Sequence, residues 1–476
     1  MIRVYNTLTG KKEKFEPFEP GKVKMYICGL TVQNYSHLGH IRSAINYDVI
    51  RRYLEYSGYE VFTIQNFTDI NEKIVVRAGE EGLTPAALAE KYTRAYLDDI
   101  EALNIMDADV YCSVSDNIAE IQEMVQTLID KGYAYESGGN VYFSVEKFPD
   151  YGKLSGRELE EMEAGSRVAV KEEKKHPLDF ALWKRVDEDV RAWNSPWGRG
   201  WPGWHIECSA MAIKYLGERF DIHGGGTDLI FPHHENEIAQ SEAYTGKKPF
   251  VKYWLHNGTV NLSGSKMSKS EGNFFTTREL LDKFSPDVLR YFLLAKHYHS
   301  PIDFSLDGVK NTRVSYERLL NTRRRLESVI EDKNLEKFMP ESEFEKAFKQ
   351  AMDDNFNTAE AIGVFNELAR EINSRLNNFE KGSEENLKHL CRAARIFDDI
   401  ASVLGLRMEA SSPEVENDLA EKLINYLLEL REGAREEKNW KLADKIRDDL
   451  REMGIVVEDT RQGVEWTYAG GDSNGD

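Results

Sequence analysis

At 476 residues the chain is too long for one hydrophobic core, so two to four domains are expected. Apolar residues make up 41% and charged residues 30%, an ordinary globular balance, and no apolar run approaches the roughly 18 residues of a membrane span. The formal net charge of −20 counts against loose, charge-driven nucleic-acid binding but leaves room for a specific partner held by local basic patches.

Met1 to Tyr5 lacks a signal-peptide pattern and reads as a strand, so a cytoplasmic location is expected. Val23, Met25 and Ile27 alternate and predict a strand ending at Cys28. A polar stretch, Gly29 to His40, precedes a helix predicted over Ile41 to Tyr56. Glu60 to Gln65 reads as the next strand. This strand–turn–helix–strand unit is the signature of a parallel sheet with covering helices. From about residue 107 to 199 the chain turns to short strand-like pieces and many charges, which reads as an insertion. The α/β pattern resumes at Glu218 to Ile222 and Lys252 to His256. After about Val309 the pattern is helical: Val314 to Ile330, Phe344 to Arg375 and Leu387 to Leu406 predict a bundle. Ala420 to Met453 continues it, and Gly454 to Asp459 with Val464 to Tyr468 predicts a small hairpin. Gly470 to Asp476 is expected to be disordered.

The expected fold is thus a Rossmann-type α/β domain over 1–308, with the insertion near 107–199 and a loop region near 259–308. A helix bundle follows over 309–410 and a small C-terminal domain over 411–469.

Four cysteines, Cys28, Cys112, Cys208 and Cys391, are too few and too scattered for a disulfide framework, so metal binding or burial is favoured. His37-Leu38-Gly39-His40 lies between a strand and a helix. A helix N-terminus offers free N–H groups, Gly39 permits close approach, and two imidazoles can donate to phosphate. Alone, the tetrapeptide is equally a loop with two solvated histidines. Lys266-Met-Ser-Lys269-Ser270 follows a glycine-containing loop and suits a mobile clamp on a polyphosphate. In isolation it is an exposed basic loop.

The pair resembles the two signatures of the class I aminoacyl-tRNA synthetases, with Leu38 the only departure in the first. That resemblance implies that His37, Gly39, His40 and Lys269 flank ATP, carried with Mg2+. It also implies that His37, His40, Lys266 and Lys269 serve in-line attack of an amino-acid carboxylate on the α-phosphate.

Cys28, Cys208, His233 and Glu237 form a third group. On a helix His233 and Glu237 face the same way, and two thiolates, an imidazole and a carboxylate would complete a tetrahedral zinc site. Scattered as they are, each residue also has a plain structural reading. With Tyr26 to Val32, Pro202 to Ala210, Phe220 to Asp228 and Met453 to Asp459, they extend the likeness over nearly the whole chain to the cysteinyl-tRNA synthetases. In that family the four corresponding residues hold one zinc, which takes the substrate thiolate. The likeness places Cys28, Gly29, Thr68, Trp204, Asp228 and His233 at the cysteine, and Gly224, Gly225 and Gly226 at ATP. It implies ATP-dependent activation of cysteine and its transfer to the 3′ end of the cysteine tRNA; a monomer is expected. Arg435, Asp444 and Asp459 correspond to its anticodon readers, and arginine and aspartate suit unstacked base edges.

Leu30 stands where many relatives have proline, and Asn71-Glu72 where two aspartates are common. Trp183, Trp193, Trp197, Trp201 and Trp204 cluster and read as a packed aromatic lid, with Trp204 a pocket wall. Cys112 and Cys391 read as buried thiols. Asn321 to Arg325 reads as a solvated helix face. Two rivals stand: a ligase passing cysteine to a small amine, as in mycothiol synthesis, and a non-catalytic cysteine- or tRNA-binding paralogue. The C-terminal region argues against the first and the intact signatures against the second.

Overall fold

Alternating Val23, Met25 and Ile27 build the central strand of a five-stranded parallel sheet. The structure is a computed structural model that describes residues 1–157, 173–186, 191–262, 265–266, 275–330, 342–378, 384–409, 413–460 and 463–468. The central strand is β1 (Lys22–Thr31), followed by α1 (Leu38–Tyr56), β2 (Glu60–Thr68) and β3 (Val110–Ser113). Later come α2 (Trp204–Leu216), β4 (Phe220–Gly226), α3 (Glu235–Thr245) and β5 (Val251–Asn257). The strand order is β5-β4-β1-β2-β3, all parallel. The order reverses between β1 and β4, so the carboxyl ends of these two strands border the crevice where such sheets bind ligands.

Several boundaries differ from expectation, three of them informative. β1 runs past Cys28 to Thr31 through a register shift between Ile27 and Leu30. α1 begins at Leu38, because His37 caps it: its Nδ1 accepts from Gly39 N at 3.1 Å, and His40 Nδ1 accepts from His37 N at 3.3 Å. This is a capping box made of imidazoles, a pattern usually carried by Ser and Glu. The parallel sheet also extends beyond residue 107, since Val110–Ser113 pairs with β2. The antiparallel strands of the inserted region follow: Ala134–Ser137, Asn140–Phe143, Phe180–Arg185 and Gly200–Pro202.

The helical stretch Phe344 to Arg375 divides into two helices, Glu343–Asp353 and Thr358–Asn377. Asn355 and Phe356 between them adopt positive φ. Asn355 Oδ1 accepts from Tyr5 N at 2.7 Å and Tyr298 Oη at 3.0 Å, contacts that recruit the break into the core. With Leu306–Glu327 and Glu384–Leu404 these helices form the bundle. Their apolar faces share one core with α1, as Tyr53, Phe348, Phe365 and Phe397 show. Arg290, fully buried, bonds Asp48 on α1 and the carbonyls of Leu103 and Leu404. Residues Met1–Met408 make one compact unit.

The second unit starts at Glu409. Its helices, Pro413–Glu436 and Trp440–Glu452, break at Lys438 (φ 59°), where Asn439 caps the second by accepting from Leu442 N. The strands Ile455–Thr460 and Gly463–Tyr468 pair antiparallel. The expected disordered tail at 470–476 lies outside the described residues.

Candidate active site

Cys28 sits on β1, and its neighbour Gly29 allows the chain to pass. A Cβ at Gly29 would fall 1.6 Å from the Asn66 carbonyl oxygen, while Gly29 N donates to Asn66 Oδ1 at 2.9 Å. Cys208 lies on α2, buried. Ile230–His234 is a kinked turn before α3 that delivers two histidines inward, and Glu237 follows on α3 itself.

These segments meet in one cluster. Cys28 Sγ is 3.9 Å from Cys208 Sγ and 3.8 Å from Glu237 Oε1. His233 Nε2 lies 3.5 Å from Cys208 Sγ and 3.1 Å from Glu237 Oε1. The four expected donors therefore converge. A fifth, His234, joins them with Nε2 at 3.3 Å from Cys28 Sγ, and the ligand atoms of Cys28, His233, His234 and Glu237 all lie within 4.8 Å of one another.

Sequence reasoning missed the ring of partners behind this cluster. His205 Nδ1 is 3.0 Å from His233 Nδ1, which turns the other imidazole nitrogen toward Cys208. His234 Nδ1 meets His256 Nε2 at 2.8 Å, and His223 Nε2 meets Glu237 Oε2 at 2.8 Å. The adjacent pairs Trp204-His205 and His233-His234 were the available signal. Burial holds His233 and His234 well below the ordinary imidazole value, and His205 and His256 at about 3. Buried imidazoles that stay neutral are the form that ligates metal. Burial also pushes the Cys28 thiol up, with Cys208 and Glu237 adding to it. The Cys28 hydrogen bond lowers Cys208, but burial and the Glu237 and Glu207 carboxylates leave it above its ordinary value. Sulfur, imidazole and one carboxylate in a buried cluster are the donor set that suits zinc.

Beside the cluster opens a cavity of about 520 Å³, lined by Cys28, Gly29, His37, Gly39, His40, Trp204, Gly226 and Asp228 among others. The His37 and His40 rings stack with centroids 3.6 Å apart. Trp204, 44% exposed, stacks on His233 at 4.2 Å. Of the other clustered tryptophans, Trp183, Trp197 and Trp201 are buried and Trp193 is partly buried. Thr68 is buried, and its hydroxyl donates to Glu207 Oε2 at 2.7 Å. Burial raises that carboxyl well above its ordinary value.

Of the three glycines expected at ATP, Gly226 lines the cavity. The other two answer a packing demand: a Cβ at Gly224 would meet the Tyr47 ring at 2.4 Å, and one at Gly225 would meet His234 at 2.7 Å. The Lys266 backbone pairs with Asn261, its side chain and all of Lys269 lying outside the described residues. Arg435 and Asp444 sit in the second unit, Arg435 Nη1 3.3 Å from Glu432 and Asp444 3.3 Å from Arg447 Nη2. Asp459 is on the first strand of the hairpin, its side chain outside the described residues. Cys112 and Cys391 are buried and stand outside the donor set, and burial lifts Cys112 to about 12, with Cys208 adding to it.

Residues 14–314 match the family described as tRNA synthetases class I (C) catalytic domain, 347–409 a DALR domain, and 418–466 a cysteinyl-tRNA ligase anticodon binding domain. The fold is shared with the Mycobacterium tuberculosis methionyl-tRNA synthetase solved with methionyl-adenylate, at 16% identity and a TM-score of 0.59 over 80% of this chain and 90% of that one. Fold and catalytic-domain match define a class I aminoacyl-tRNA synthetase. The chain is 49% identical to the cysteine–tRNA ligase of Heliobacterium modesticaldum over 98% of its length and 100% of that protein. It is 51% identical to that of Thermococcus onnurineus over 98% of both. The chain belongs to the cysteine–tRNA ligase family.

Proposed function

We propose that the chain activates cysteine with ATP and attaches it to the 3′ end of tRNA, with a zinc ion held by Cys28, Cys208, His233 and Glu237 selecting the thiol. The observation that carries this reading is the convergence of those donors around Cys28, which lines a cavity that the His37–His40 segment also lines. Zinc, when bound there, supplies a sulfur-seeking Lewis acid that favours the thiolate and has little use for a serine hydroxyl.

The protein's own groups do the positioning. His205 holds the His233 tautomer, the kind of supporting contact that fixes a ligand's direction. Asp228 on the cavity wall suits the substrate ammonium, and Trp204 closes the side. His37, Gly39 and His40 at the start of α1 face the polyphosphate, where the helix terminus adds partial positive charge. Lys266 and Lys269 bring their charges as the anionic transition state forms, so rate comes from orientation and charge stabilisation rather than a side-chain nucleophile.

A second groove of about 810 Å³ shares Thr31, Lys73 and Trp204 with the cavity and adds Lys184 and Arg185. Its charge and aromatic rim suit entry of the tRNA 3′ end. Arg435, Asp444 and Asp459 read the anticodon. We take the working enzyme to be a monomer in the cytoplasm; among the described residues no helix is long and apolar enough to cross a membrane. The test is cysteine-dependent pyrophosphate–ATP exchange followed by tRNA charging. Exchange without charging would favour transfer to a small amine.

A further inference from the structure

Arg42 lies one turn into α1, fully buried. Among the described residues its guanidinium bonds only main-chain carbonyls. Nη1 donates to Gly258 O at 2.6 Å and Thr259 O at 2.7 Å. Nη2 donates to Ser300 O and, at 3.4 Å, to Tyr298 O. Burial lowers its pKa only to about 10, so it stays charged at neutral pH. A buried cation with no carboxylate beside it is costly, and a hydrophobic residue would fill the space more cheaply. The planar fork of five donors is the one side chain that joins two pairs of carbonyls at once.

What it joins bears on the site. Gly258, Thr259 and Val260 line the same cavity as His37 and His40. The same segment continues into Val260–Leu262, which pairs with Ser265–Lys266 at the entrance to the lysine signature. Tyr298 to Ser300 backs it, and a Cβ at Gly258 would fall 2.4 Å from the Ser300 carbonyl carbon. The far end of the signature loop is fastened to the same place: Leu38 N donates to Phe275 O at 3.2 Å and Thr277 N to Ser36 O at 2.9 Å. Both ends of the loop are thus anchored on the start of α1.

We propose that Arg42 is a positioning residue for adenylation: it sets the cavity wall at Gly258–Val260, and with it the root of the lysine signature, against the histidines of α1. The proposal rests on the reading that this cavity takes ATP. Arg42 touches no substrate, so its effect falls on the nucleotide side and spares the cysteine cluster.

The test uses full-length zinc-loaded chain carrying Arg42→Met or Arg42→Lys. Binding of a non-hydrolysable ATP analogue reads the effect whichever amino acid is activated, so a failed cysteine assignment would be seen separately in the unaltered chain. In Arg42→Met, kcat/KM for ATP in pyrophosphate exchange should fall by roughly 10²-fold, the usual cost of slight misplacement. Cysteine affinity measured without ATP and bound zinc should stay within about twofold of the parent, following the same physical argument that distant, unshared contacts act independently. Arg42→Lys keeps the charge but cannot span both carbonyl pairs, and should recover part of the loss. A folded Arg42→Met with parental ATP parameters overturns the proposal, as does an equal loss of cysteine affinity and zinc. Should Arg42→Met not fold, Arg42→Lys decides: a nucleotide-side loss with parental cysteine affinity supports it, and parental ATP parameters overturn it.

Discussion

His233 presents Nε2 to the Cys208 sulfur at 3.5 Å because its Nδ1 is engaged by His205 on the far side. The ring is held in one orientation by a residue that is itself no proposed ligand. Metal affinity should therefore depend on His205. His205→Phe is expected to weaken zinc retention by roughly 10–100-fold, whereas Cys28→Ala and Cys208→Ala should abolish stoichiometric zinc. Metal analysis of protein dialysed against a graded chelator series checks this. Zinc held undiminished after either cysteine change would refute the ligand assignment.

The signature residues should act on the transition state. His40→Ala and Lys269→Ala are each expected to lower the adenylation rate by roughly 10²–10³-fold, the range for losing one preorganised donor. Cysteine affinity should barely move. Rapid-quench measurement of adenylate formation separates the two quantities, and parental rates in both variants would show that these residues have another role.

Much of this site was legible in the sequence, and the limit has a physical cause. His37 to His40 and Lys266 to Ser270 are contiguous, so their pattern survives without a fold. Cys28, Cys208, His233 and Glu237 were legible only through family likeness, because residues 180 apart in the chain carry no spacing rule. His205, His223 and His256 were missed because their role is to back the donors, and His234 because its approach to Cys28 is decided by tertiary packing. Gly224 and Gly225, read as nucleotide-approach glycines, also meet a packing demand that the sequence does not show, since Tyr47 and His234 occupy the space a side chain would need. Val110–Ser113 is too short to declare itself a sheet strand, and the break at Asn355 depends on bonds to Tyr5 and Tyr298 that no local pattern encodes.

Arg290, on the helix Pro286–Leu294, and Asp48 on α1, 242 residues apart, form a fully buried ion pair, and Arg290 also donates to the Leu404 carbonyl at the end of the bundle. Arg290→Met should destabilise the first unit by about 3 kcal/mol, the low end for breaking a buried pair, because Arg52 still holds Asp48 at 2.9 Å. Denaturant titration with the equilibrium slope unchanged would measure it. A loss under about 0.5 kcal/mol, the scale of an ordinary surface change, would contradict the account.

The second unit should serve tRNA and leave activation alone. Asp444→Ala and Arg435→Ala are expected to leave pyrophosphate exchange intact and to weaken charging by about 1–3 kcal/mol each. The loss should vary with the anticodon, since a lost phosphate contact would weaken all tRNAs alike. Charging assays on anticodon-swapped transcripts distinguish the two, and indifference to both changes would remove the anticodon assignment.

The most direct test of the central claim is amino-acid-dependent pyrophosphate–ATP exchange with cysteine and serine side by side, in zinc-loaded and chelator-stripped enzyme. The account predicts robust exchange with cysteine and a cysteine-over-serine preference well above the roughly 10–200-fold that pocket shape alone supplies. It also predicts that removing the metal collapses exchange with cysteine while ATP-analogue binding persists. Equal exchange with serine, or undiminished cysteine selectivity in fully stripped enzyme, would contradict it.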